Sequence, residues 1–490
     1  MTEERVYSLT PDIVPVSSPF RLEVLSESEL ETVRHGTREL LAEVGVHFPS
    51  QRALEIFADH GAQIDWEKEV VHMAPDLVDK AMSRAPRSFV LGGREERFDL
   101  TLDGSCSYLC TDGTGVHTID LETREQRPSC KEDVAMMARV CDALPLLSFY
   151  WPSVSAQDYG RTALLHQCHA GLTNTLKHVR GGMTVPEQLA RYVVEMATVV
   201  AGSSEEVRRR SPICANICSI APLAQDKDGI EAALVYAEAG IPTSFMAMPT
   251  MGSTAPATPL GALVMGDAEV VSGMVLLQLA SPSCPVFHSI ETSLMHPRTG
   301  GYIGGPSAPV GPMATQLAHA WGVPSLGAGS ASTDSPYLDW QAGSDAGFGT
   351  ALIPLAGAEI CGYMALTGSS MILYPEKVIL DHELCEGVHE YFRRFEFDKA
   401  DMALDLIADV GPRGHFLLQK HTRDRFRSIQ MSQVLYQYDA SGGLRDPLEM
   451  ALREFERVNE THHPMPLPDD VLTELDRILA AAEGEVGEAG

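Results

Sequence analysis

The chain has 490 residues, 44% of them hydrophobic and 21% charged, an ordinary globular mix that excludes a disordered or low-complexity protein. With 37 basic against 67 acidic side chains the net charge is −30, which lacks the basic footprint that a nucleic-acid partner requires. That balance is compatible with a cationic substrate or a basic partner patch, although solubility is the plainer explanation.

The N-terminus, Met1-Thr2-Glu3-Glu4-Arg5, lacks the basic-then-apolar pattern of a signal peptide. No uninterrupted apolar run reaches the ~18 to 20 residues that span a bilayer. The ten cysteines are scattered without a CxxC pair and read as reduced thiols. A cytoplasmic protein without membrane association is the expectation.

In chain order, the spacing predicts helices over 27–44, 52–60 and 75–85. Leu30, Val33, Leu40, Leu41 and Val44 share a stripe, Gly45 and Pro49 stop the first helix, and Gly61 ends the second. Residues 1–95 are thus expected to form an N-terminal helical extension. Short apolar runs then alternate with helical stretches. The strands are expected at 107–111, 146–153, 177–184, 212–220, 243–250, 285–292, 325–332 and 371–375.

Eight strand-helix units in sequence predict an α/β fold, a (β/α)8 TIM barrel occupying 96–465. Prolines 464, 466 and 468 mark a linker, so 466–490 is expected as a C-terminal helix over 469–482 with a frayed acidic tail. Neither GxGxxG nor GxxxxGK[ST] follows any strand, which argues against a nucleotide-binding fold.

In such a barrel the site is built from strand C-termini and the loops after them. Those loops hold few Lys, Asp or Glu and instead carry Gly, Ser, Thr and aromatic residues. The segments "HPRTGGYIGG" at 296–305, "PSLGAGSASTDS" at 324–335, "DWQAG" at 339–343 and "DVGPRGHFLLQKHT" at 409–422 resemble the trimethylamine methyltransferase family, and the resemblance runs from about residue 20 to 465. It implies a TIM barrel that moves a methyl group from an N-methylated amine to cobalamin, as cob(I)alamin held by a partner corrinoid protein. The family's founding member carries pyrrolysine near the end of the seventh strand. Here the corresponding stretch, Ser332-Thr333-Asp334-Ser335-Pro336-Tyr337, has standard residues only, and Ser335, Pro336 or Tyr337 stands at that position. The departure points to the branch without pyrrolysine, which includes demethylases of glycine betaine and related betaines.

Chemistry gives a reason for the split. A tertiary amine must be activated before a methyl can leave, whereas a quaternary ammonium already departs as a neutral amine. The enzyme then supplies position and electrostatics rather than proton transfer. A quaternary ammonium is held by aromatic faces and carboxylates. Trp151, Phe245, Tyr302 and Trp340 lie at or just past predicted strand ends, where two or three of them could form a cage or pack under loops. Asp334 could face the cation or make an Asx turn. Arg298 could clamp a betaine carboxylate or order its own loop. His288 could bond a carboxylate or line the barrel, and Gln341 is a plausible polar contact. Gly300, Gly301, Gly304, Gly305, Gly327 and Gly329 would permit close backbone approach, as ordinary turns also require. Cys284 and His288 find no third ligand, so no bound metal is expected. Two other readings compete: a betaine-binding protein without transferase activity, and a barrel lyase or isomerase using His288 and Glu291. The apolar barrel helices leave room for a homo-oligomer, with the corrinoid protein docking at the C-terminal mouth.

Overall fold

Alternation with a period of two builds seven parallel strands: β1 (Tyr108–Thr111), β2 (Leu147–Tyr150), β3 (His178–Gly182), β4 (Ile213–Cys218), β5 (Thr243–Ala247), β6 (Val286–Ile290) and β7 (Ile360–Met364). They lie in the order β6-β5-β4-β3-β2-β1-β7. The ring closes through the segment 325–326, in which Ser325 bridges His288 of β6 and Leu326 bridges Ile360 of β7, both in parallel sense. The chain is therefore a TIM barrel whose eighth stave is two residues long. This computed structural model describes residues 7–304, 310–327, 329–392, 397–427 and 431–488; Gly305 and Ala328 of the motifs lie outside them.

One expectation needs correction. The last strand is not at 371–375 but at Ile360–Met364, which pairs with β1. Ile372–Leu373 instead joins a small outer sheet beside His117–Ile119. The terminal helix runs Asp469–Glu488, past the end expected at 482. Its side is tied down by Glu483 accepting from His166 Nε2 at 2.8 Å and Glu485 accepting from the Tyr192 hydroxyl at 2.7 Å.

The three expected N-terminal helices are present as Glu27–Glu39, Gln51–Asp59 and Pro75–Met82, the first extended by a wider turn over Leu40–Val44. Ser26 caps the first, bonding the Glu29 amide while the Glu29 carboxylate reaches back to the Ser26 amide. Between them sits a three-stranded antiparallel sheet, Val46–His47, Val70–His72 and Gln63–Asp65, whose strands are too short to leave a periodic signal. A hairpin of Phe89–Leu91 and Leu100–Leu102 spans the boundary drawn at 95/96. Its Leu91, Leu100 and Leu102 pack with Phe149, Phe287 and Ile360 and plug the floor of the barrel.

The phase of each strand decides what reaches the lumen. On β5 and β6, Phe245, Ala247, Val286 and Ile290 face outward into the helical layer, whereas Met246 and Phe287 face inward. The helix Pro259–Ala280 is long and apolar enough to cross a membrane, yet most of it is buried between the sheet and its neighbours. It carries two buried carboxylates. Asp267 accepts from His288 Nε2 at 2.8 Å, Thr37 Oγ1 at 2.6 Å and Trp321 Nε1 at 3.0 Å, which ties strand, barrel helix and N-terminal helix together. Glu269 accepts from Ser219 Oγ at 2.5 Å and the Leu223 amide at 2.9 Å, fixing the loop after β4.

Candidate active site

The C-terminal mouth is lined from the strand ends upward. At the end of β1, Asp112 is buried; its amide donates to the Met364 carbonyl, and its carboxylate accepts from Ser370 Oγ at 2.5 Å and the Gly113 amide at 2.8 Å. At the end of β2, Trp151 and Thr111 exchange bonds: the Trp151 amide donates to Thr111 Oγ1, which donates to the Trp151 carbonyl. A Cβ on Gly113 would lie 2.1 Å from the Trp151 indole nitrogen, so only glycine lets the chain pass that ring. β3 delivers Arg180, whose guanidinium lies 4.0 Å from the Trp151 ring centroid. β6 ends at Glu291, and β7 at Tyr363, whose ring meets Trp151 edge-on at 5.7 Å and whose φ of 53° is in the left-handed region.

Over the rim, Ser293–Met295 pairs with Thr250–Met251 and Tyr302–Ile303 in a short sheet. That sheet carries Tyr302, which is 50% exposed. Asp334 enters from the loop after the short stave and accepts from Ser369 Oγ at 2.7 Å.

Glu291 therefore feels the charge of two other carboxyls at the mouth. Burial pushes Glu291 up to about 7, and the charges of Asp112 and Asp334 add to the effect. Burial raises Asp112 to about 6, against the pull of its bonds from Ser370 and Gly113. Asp334 is raised for the same first reason, and the Tyr302 phenol is raised by burial and then by Glu291. Buried polar atoms without a hydrogen-bond partner include Trp151 Nε1, Ser289 Oγ, Ser332 Oγ, the Tyr363 hydroxyl and all three guanidinium nitrogens of Arg180. Such a concentration is uncommon in a folded interior.

The structure brings together some of the residues singled out from sequence and separates others. Trp151, Tyr302 and Asp334 belong to the mouth. Phe245 does not: it faces outward, where a Cβ on Gly273 of the neighbouring helix would lie 2.4 Å from its ring. His288 also faces outward, to Asp267, so it cannot act with Glu291 as an acid/base pair in the lumen. Arg298 sits exposed on the turn between Met295 and Tyr302, with its amide donating to His296 Nδ1. Trp340 is 88% exposed and Gln341 is also at the surface, both in the first turn of helix Trp340–Ala356. Asp112, Arg180 and Tyr363 went unnoticed in the sequence. A lone arginine two residues into an apolar strand, in phase with the inward positions, was the signal for Arg180. Among the described residues no three His, Cys, Asp or Glu side chains are grouped as a metal set.

A parallel (β/α)8 barrel with carboxylates, aromatic rings and a buried cation gathered at its C-terminal mouth is the architecture of a barrel enzyme. The family model for trimethylamine methyltransferase (MTTB) matches residues 3–487. A trimethylamine methyltransferase of Desulfitobacterium hafniense is 30% identical over 477 residues, 96% of each chain. A glycine betaine methyltransferase of the same species is 27% identical over 474 residues, 95% of this chain and 98% of that one. The crystal structure of the Methanosarcina barkeri monomethylamine methyltransferase aligns at 12% identity with a TM-score of 0.47, covering 89% of this chain and 87% of that one. The chain belongs to the trimethylamine methyltransferase family and is a methyltransferase.

Proposed function

We propose that the protein takes a methyl group from a quaternary amine, glycine betaine or a related betaine, and delivers it to cob(I)alamin on a partner corrinoid protein. The observation that carries this reading is the cluster of Asp112, Glu291 and Asp334 around Trp151, Tyr302 and Tyr363 at the mouth. Carboxylates and aromatic faces suit a fixed cation that cannot donate N–H bonds. The absence of pyrrolysine from 332–337 supports a substrate that needs no further activation.

In this reading the reduced corrinoid supplies the nucleophile, and the C–N electron pair leaves with the departing tertiary amine. The chain's own residues bind, orient and exclude water. Asp112 and Glu291 hold the ammonium, the Trp151 indole and Tyr363 wall it in, and Tyr302 covers it from the rim sheet. The partner docks at the mouth, close to the exposed Tyr337 on the loop that carries Asp334. The reduced state of all ten cysteines suits a cytoplasmic setting, and we expect a homo-oligomer.

The test is spectroscopic: the protein, cob(I)alamin and a panel of amines, followed by loss of the cob(I)alamin absorbance and by mass spectrometry of the demethylated amine. Turnover of glycine betaine and not of trimethylamine is the expected result. Turnover of trimethylamine alone overturns the substrate, and tight betaine binding with no transfer to any corrinoid would leave a binding protein.

A further inference from the structure

The buried arginine is the feature that the methyl-transfer reading leaves unused. On β3, Val179 packs outward into the helical layer, and a Cβ on Gly181 would meet Cys168 and Ile213 on that same side. The alternation therefore sends His178 and Arg180 into the lumen. His178 is spoken for at the floor, where its Nδ1 lies 3.0 Å from the Gly92 carbonyl of the plugging hairpin. Arg180, one layer higher, is 1% exposed, and its three nitrogens find no oxygen acceptor, with the Cys214 thiol a weak partner beside them.

Its surroundings explain where the charge rests but not why the donors are there. The Trp151 face lies 4.0 Å away and the Phe149 ring 6.0 Å; the Asp112 carboxyl acts on it through space, and the Cys214 thiol is a weak hydrogen-bond partner as well as a neighbour that feels its charge. A cation–π contact and one weak thiol partner satisfy charge and leave most of the five N–H groups unmatched. The planar fork of a guanidinium is the protein group best matched to a carboxylate, two parallel N–H bonds to two oxygens.

The polarity of the barrel then has a direction. One cation sits deep in the lumen, and Asp112, Glu291 and Asp334 stand above it toward the mouth. A zwitterion fits this axis in one orientation only, because its carboxylate would be repelled at the rim and its ammonium at the floor. That orientation points the methyl groups outward, toward the face where a methyl acceptor has to arrive.

We propose that Arg180 anchors the carboxylate of the substrate, so that the enzyme selects quaternary amines bearing a carboxylate over those without one and presents their N-methyl groups at the mouth. The proposal rests on the quaternary-amine reading above. Arg180 is a specificity-determining contact; Arg298, on its exposed turn, is not the clamp.

The test compares ligands that differ only at the anionic end. Wild-type protein is titrated calorimetrically with glycine betaine, glycine betaine methyl ester and choline, and Arg180→Met and Arg180→Lys with the same three. Expected are at least about a hundredfold weaker binding of ester and choline than of betaine by the wild type, and a similar loss of betaine affinity in Arg180→Met. Choline affinity in that variant stays within about threefold, since a ligand without the carboxylate has nothing to lose there. Arg180→Lys should recover part of the betaine affinity. Equal wild-type binding of betaine and its methyl ester overturns the proposal without any variant having to fold. So does an Arg180→Met protein that loses betaine and choline alike, which would make Arg180 a structural group. In both cases betaine turnover by the wild type would keep the reading of the reaction intact. Wild-type protein that neither binds nor demethylates any quaternary amine removes that reading and this proposal together.

Discussion

Glu291 holds its proton up to about pH 7 because it is desolvated and faces two other carboxyls, Asp112 and Asp334, with the Tyr302 and Tyr363 phenols and the Cys218 thiol also close enough to feel its charge. The sign of the consequence can be worked out. In the unfolded chain such a group ionises near ~4.3. Between that value and about 7 the folded protein keeps a proton that the unfolded chain has lost, so the ligand-free protein becomes less stable as pH rises through this window. Asp112, raised to about 6, acts in the same direction. Affinity for a cation moves the opposite way, because the carboxylates gain charge. Thermal melts with and without glycine betaine should therefore show a larger ligand-induced shift at pH 8 than at pH 5. An equal shift at both would mean that these carboxyls do not face the cation.

Of the residues singled out from sequence, Trp151, Tyr302 and Asp334 lie beyond strand ends, where position along the chain suffices to place them at the mouth. Phe245 and His288 lie within strands, where facing depends on the phase of a two-residue alternation. The run 243–247, Thr-Ser-Phe-Met-Ala, is buried on both faces and mixes hydroxyl and apolar residues on each, so its phase is not written in the pattern; Phe245 packs outward where Gly273 of the neighbouring helix leaves room for its ring.

At the level of elements, the seam between β6 and the short stave is secured from outside by Asp267. Its carboxylate serves His288 on the strand, Trp321 at the end of helix Val310–Trp321 and Thr37 on the first N-terminal helix. The outer face of Trp321 is covered in turn by the guanidinium of Arg34 at 4.5 Å. Replacing Asp267 with alanine leaves the buried His288 and Trp321 donors unmatched, while Thr37 keeps the Val33 carbonyl at 3.2 Å, and should lower stability by about 3 kcal/mol. Denaturant unfolding measures it, and a loss below about 1 kcal/mol would mean that the network carries little. Because Asp267 lies outside the barrel wall, betaine affinity of the folded variant should stay close to wild type.

Most helices were legible because their caps and stripes are local. The last strand was not. Ile360–Met364 follows helix Trp340–Ala356 after a three-residue turn at Gly357, and the two together form one long run of small and apolar residues with no change of period to mark the junction. Pro354 inside that helix adds a false stop. The later run 371–375 has clearer borders and drew the assignment, although its residues pair outside the barrel.

Across the whole molecule, burial is uneven. The plugging hairpin, the N-terminal helices and the terminal helix all contribute to the core around the barrel, whereas the short helices Leu404–Val410 and Lys420–Phe426 bury none of their side chains. Leu417, Leu418 and Phe426 are exposed in that stretch, beside Lys420, Arg423 and Arg425. The motif at 409–422 that helped to place the chain in its family thus lies on a part of the surface that the barrel does not stabilise.

The two-residue stave has a mechanical consequence. β4 and β5 are laced over four register pairs. Around Ser325 and Leu326 the backbone ladder has four bonds, Leu326 to His288, His288 to Pro324, Gly327 to Ile360 and Ile360 to Ser325, and side chains add the Ser325 amide to the Glu359 carboxylate at 2.7 Å and the Ser325 hydroxyl to Thr315 at 3.3 Å. A hoop with one slender stave yields there first, so the diameter of its open end can vary while the remaining wall keeps its register. Hydrogen exchange should find the amides of Leu326 and Gly327 trading with solvent sooner than those of Phe245 and Met246. If they trade at the same rate, the hoop is as stiff at its seam as elsewhere, and a bulky planar ring arriving at the mouth must fit an aperture of fixed width.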